Sequence, residues 1–125
     1  MDLKTAQILM RRFEEDRGWS KFAPSLLLLH LIEELSEIGE HILFREGYKV
    51  KGLGHGGSRD PLEVGREFAQ AFSLFLQLAN RFDVDLEDAF LKELEIMKHR
   101  FGEKEWSNYM GRRDERRGAD RLVGV

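Results

Sequence analysis

Three glutamates stand where helical spacing can bring carboxylates together. In "HLIEELSEIGEH", Glu34 and Glu37 lie one turn apart on one side of a helix. In "VGREFAQAFSLFLQLANRF", Glu67 heads a stripe of Glu67, Ala71, Leu74 and Leu78 that borders an aromatic stripe of Phe68, Phe72, Phe75, Ala79 and Phe82. Carboxylates that converge near a core without a counter-ion are costly to bury. A hard divalent cation removes that cost, because it takes oxygen ligands and leaves positions for water and phosphate. A solvated acidic face would account for Glu34 and Glu37 alone, but an acid at the matching edge of the next helix favours a shared site. The chain has no Glu-x-x-His pair, which speaks against a ferritin-like di-iron centre. His30 and His41 each lie four residues from one of these glutamates, and neither has a sequence partner that makes a metal site.

Four helical stretches would have to position these groups. The first, about 2–16, places Leu3, Ala6, Met10 and Phe13 on one face and stops at Gly18. The second opens at Pro24 and runs to about Arg45, with Leu28, Leu31, Leu35, Ile38 and Ile42 as its expected buried stripe; Glu33 and Glu40 point to solvent. The third starts in "DPLE", where Asp60 can cap, Pro61 suits the first turn and Glu63 can reach back as a capping box. The fourth runs from about Leu86 to Phe101 after the turn "RFDVD". The pattern predicts an all-α, antiparallel four-helix-type bundle. Residues 1–101 form the helical domain, and residues 102–125, polar and Arg-rich, extend it without an assignable element. The glycine-rich segment "KVKGLGHGGSRD" reads as a mobile surface connection more readily than as a phosphate lid, since it lacks the phosphate-loop pattern.

Composition narrows the function classes. A chain of 125 residues with 42% hydrophobic and 34% charged residues suits one globular domain or a small helical oligomer. The longest apolar run is too short to span a bilayer, and no signal peptide is visible. Zero cysteines exclude disulfides, zinc-thiolate sites and thiol nucleophiles, which fits a cytoplasmic protein. A net charge of −3 argues against a nucleic-acid polymer as partner. Leu26, Leu27, Leu29, Ile32 and Leu43 fall outside the second helix's main stripe, so a homodimer or a dimer of dimers is expected to cover them.

The segments "RRFEEDRGW", "IEELSEIGEHI" and "EVGREFAQAFSLFLQLANRFDVDLEDAFLKELEIMKHRF" together resemble the MazG-like all-α nucleotide pyrophosphohydrolases, over roughly residues 1–101. That family shares its bundle with dimeric dUTPases and phosphoribosyl-ATP pyrophosphohydrolase. The resemblance implies Mg²⁺, with Mn²⁺ as a substitute, held by Glu-x-x-Glu and Glu-x-x-Asp on successive helices, and cleavage of a nucleoside triphosphate to monophosphate and pyrophosphate. Glu34, Glu37 and Glu67 match the motif, whereas Gln70 stands where the family has Asp. On the fourth helix Glu93 and Met97 replace the family's Lys and Asn. Glu93 is either a compensating fourth metal ligand or an ion-pair partner for Arg100. The implied site therefore comprises Glu34, Glu37, Glu67 and Glu93 for the metal, Glu33 or Glu37 to orient the attacking water, and Lys21, Gln70 and Arg100 for the nucleotide. Two other readings follow from the same residues: a helical oligomerisation module that has lost its site, or a dUTP- or phosphoribosyl-ATP-type reaction with a changed base pocket.

Overall fold

A computed structural model describes residues 1–56, 60 and 63–122. The described residues are helical and contain no strand: α1 is Leu3–Asp16, α2 Pro24–Arg45, α3 Val64–Arg81, α4 Leu86–Arg100 and α5 Glu103–Leu122, with a 3₁₀ turn at Trp19–Lys21 between α1 and α2. Asp2 caps α1 by accepting the Thr5 N–H at 2.7 Å. Gly18, at φ 71°, takes the left-handed conformation that turns the chain into the 3₁₀ segment. Pro24 opens α2 as its first residue. The expected capping box does not start α3. Glu63 already has helical backbone angles, makes no side-chain cap, and donates its N–H to the Asp60 carbonyl at 2.9 Å. The chain enters this helix through a backbone-bonded turn, so regular α-helix begins only at Val64. Gly57, Arg59 and Pro61, used in the sequence reading, lie outside the described residues.

The chain forms two compact units, Met1–Leu86 and Glu87–Val125. In the first, α2 packs along α3 and α1 crosses both α3 and the 3₁₀ turn. His41, late in α2, touches Glu67, early in α3, while His30 and Glu34 share a cleft with Leu74 and Gln77 farther along α3, so the two helices run antiparallel. The second unit holds α4 and α5. There Trp106 stacks edge-on against both Phe101 and Tyr109, with ring centres 6.2 and 5.5 Å apart. The Arg-rich tail is thus largely a helix: Glu103 and Glu105 sit in its first turn, and strong helix formers outweigh Gly111 and Gly118.

The buried faces of the first unit are only partly those expected. On α3 the packed residues are Glu67, Ala71, Leu74, Gln77 and Asn80, together with Leu76 and Ala79, while Phe68 is 58% exposed and Phe72, Phe75 and Phe82 also face outward. On α2 only Leu27 is fully buried; of the expected stripe Leu31 and Ile38 are half-buried and Leu28, Leu35 and Ile42 exposed, while Glu34, Glu37 and His41, and Glu40 against expectation, share the half-buried side. On α1, Ala6 is buried and Leu3 and Met10 half-buried as expected, but Gln7 and Glu14 are buried with them and Phe13 is exposed. Two features make this arrangement workable. Alanines at 71 and 79 let neighbouring helices approach α3 closely, and buried Gln7 and Asn80 find partners across helices. Gln7 Nε2 donates to Asn80 Oδ1 at 3.0 Å and to the Val84 carbonyl at 2.7 Å. Its Oε1 accepts the Leu86 N–H at 3.0 Å, and Asn80 Nδ2 donates to the Gln7 carbonyl at 3.0 Å. A side chain of α1 thereby caps the start of α4.

Candidate active-site cleft between α2 and α3

Glu67 is a core residue of α3, with its side chain 10% exposed, and its Oε2 lies 2.8 Å from His41 Nε2, whose side chain is 9% exposed. The contact is close but out of hydrogen-bond alignment. Glu34 is 15% exposed on its side chain and pairs with His30 at 3.3 Å, one turn earlier on α2. Glu37 lies between Glu34 and His41 on the half-buried side of the same helix. Spacing explains this alignment, since residues 34, 37 and 41 follow three- and four-residue steps. The antiparallel packing then sets them opposite the face of α3 that begins with Glu67.

Beside this seam opens a cleft of about 490 Å³, within the range of small-molecule sites. Trp19, Phe22 and Leu27 form an apolar wall; His30, Glu34, Arg66, Gln70, Ser73 and Gln77 supply polar groups. Such a cleft can hold a planar ring against its aromatic side and an anionic group near Arg66.

Of the residues singled out from sequence, Glu34 and Gln70 line this cleft, and Glu67 lies on the seam beside it. Lys21 is an exposed residue of the 3₁₀ turn that carries Trp19. Glu33 is exposed on α2, where its carbonyl accepts the Ser36 hydroxyl at 2.6 Å. Glu93 and Arg100 belong to α4, in the second unit, where the Arg100 guanidinium stands 5.0 Å from the Phe101 ring centre. Among the described residues, no three His, Asp or Glu side chains are grouped so that they could hold a metal ion.

Sequence reasoning named His41 but missed its contact with Glu67, and it missed the Glu14–Arg81 pair. Both left a signal. His41 lies seven residues after Glu34, hence on the same helical face, and Arg81 repeats the Glu67, Leu74 spacing at the far end of α3. Glu14 repeats Gln7 in the same way. No family model, curated protein or solved structure matches the chain.

Proposed function

We propose that the protein is a nucleoside triphosphate pyrophosphohydrolase of the MazG-like all-α kind, acting as a homodimer or a dimer of dimers. The observation that carries this reading is the burial of Glu67: a carboxylate occupies the packed stripe of α3, across from the helix that bears Glu34 and Glu37, while phenylalanines are left outside. Burying that acid against an apolar alternative has a cost that a purely structural core avoids.

In this reading Trp19 and Phe22 hold the base, and Arg66 and Lys21 meet the phosphates. Glu37, or Glu33, takes the proton of a water that attacks the α-phosphorus, and pyrophosphate leaves. In kind, Glu34, Glu37 and Glu67 suit Mg²⁺ or Mn²⁺, which would neutralise phosphate charge when bound. In arrangement, no three donors are gathered among the described residues. The outward stripes of α2 and α3 support self-association, which would cover Leu28, Leu35, Phe68 and Phe72.

That ungathered donor set, with Gln70 in place of an acid, favours one second reading: an oligomerisation module that has lost its chemistry. A panel of canonical and modified nucleoside triphosphates, including dUTP, and phosphoribosyl-ATP, incubated with Mg²⁺ or Mn²⁺, separates the two. Release of pyrophosphate with the matching monophosphate supports the enzyme and names its substrate. Nucleotides left intact by a folded oligomer support the module.

A further inference from the structure

The segment "RRFEEDRGW" supplies Trp19 to the cleft, and it also contains the most deeply buried side chain described. Glu14 is 1% exposed; its Oε2 contacts Arg81 Nη2, and its Oε1 finds no hydrogen-bond donor among the described residues. A buried carboxylate with one partnered oxygen is a poor way to stabilise a core, since apolar residues of similar volume do as well or better. What the pair holds in place is the more informative feature. Arg81 Nη2 also donates to the Trp19 carbonyl at 3.0 Å, and its Nε donates to the Phe22 carbonyl at 3.4 Å. One guanidinium therefore ties the end of α3 to α1 and to both ends of the turn that bears the cleft's aromatic wall.

The rest of the segment supports the same turn. The Trp19 ring meets Phe13 edge-on at 5.4 Å, Arg17 lies over Phe13 at 3.7 Å, and Gly18 supplies the left-handed bend. The Phe22 N–H closes the turn on the Trp19 carbonyl at 3.0 Å. Yet the two rings remain open, Trp19 at 41% and Phe22 at 51% exposure, on the side that lines the cleft. Their backbone is pinned and their faces are left uncovered.

We propose that Glu14 and Arg81 are positioning residues that pre-set the Trp19 and Phe22 wall, so that a planar-ring ligand meets a surface already in place and loses less ordering entropy on binding. The assignment goes beyond the nucleotide reading and does not depend on which ring compound the cleft takes. It is tested in a Trp106→Phe background, where Trp19 is the only tryptophan, by acrylamide quenching of its fluorescence. Arg81→Lys keeps a charge for Glu14 but cannot reach three acceptors, and Glu14→Leu with Arg81→Met removes both charges and strands neither. In each variant with parental helix content, the Trp19 quenching constant is expected to rise about twofold as the turn opens. Amide hydrogen exchange on the unaltered chain adds a readout that needs no variant to fold: the Phe22 amide should exchange as slowly as the last amides of α3. Parental quenching in a folded variant, or a Phe22 amide exchanging at unprotected-loop rates, overturns the proposal.

Discussion

The two stripes of α3 differ in a way that composition does not suggest. One carries Glu67, Gln77 and Asn80 among alanines and leucines and faces α1 and α2; the other carries Phe68, Phe72 and Phe75 and faces away. By apolar area alone the aromatic stripe should have been inside. The polar stripe is inside because its small residues allow close packing, Asn80 exchanges hydrogen bonds with Gln7 and Glu67 meets His41. Amphipathic spacing thus shows which residues share a face; it does not show which face packs against the rest of the chain.

Stranding a buried charge should have the largest effect on the packed side of α3. Arg81→Met leaves Glu14 without its partner, and unfolding by denaturant should show a loss of about 3–5 kcal/mol. Adding Glu14→Leu should restore most of it. Next comes a pair of truncations on opposite stripes. Leu74→Ala should cost about 2–5 kcal/mol, whereas Phe75→Ala, in chain dilute enough to be monomeric, should stay within about 0.5 kcal/mol. Equal losses at both positions would mean that the packed face has been misassigned.

The outward stripe has its own test. Sedimentation equilibrium should show a dimer or larger species at micromolar concentration, and Phe72→Asp with Phe75→Asp should reduce it to a monomer of unchanged helix content. A monomeric parent would remove self-association. The smallest effect belongs to Asp2, far from either stripe. Hydrogen bonds from Thr5, through its side chain first and then its backbone N–H, hold this carboxyl below its ordinary 3.8. A lowered folded value means that the cap contributes stability above pH 3.8 and loses it as pH falls through the lower value. Asp2→Ala should therefore differ slightly from the parent at neutral pH and match it in strong acid.

The helices were legible because their punctuation is local. Asp2, Gly18 and Pro24 mark boundaries through conformational preferences that need no partner. The start of α3 was less so, since Asp60 and Glu63 satisfy a capping pattern that a backbone hydrogen bond pre-empts. The tail was read as formless because its polarity hides a helix that needs little burial. Of the site, the α2 and α3 carboxylates were visible from spacing. The His41–Glu67 and Glu14–Arg81 contacts were not, because each joins distant segments: 67 positions separate Glu14 from Arg81.

The central claim is that the buried carboxylate of α3 serves chemistry and not packing. The most direct measurement is pyrophosphate release by the parent and by Glu67→Gln, each with Mg²⁺ and with Mn²⁺, alongside their melting temperatures. The account predicts that the parent converts at least one nucleoside triphosphate to monophosphate and pyrophosphate. Glu67→Gln should fall by about 10- to 100-fold while melting at or above the parental temperature, because a neutral amide is cheaper to bury than a carboxylate. A parent that releases no pyrophosphate, or a Glu67→Gln variant that keeps parental turnover, would contradict it.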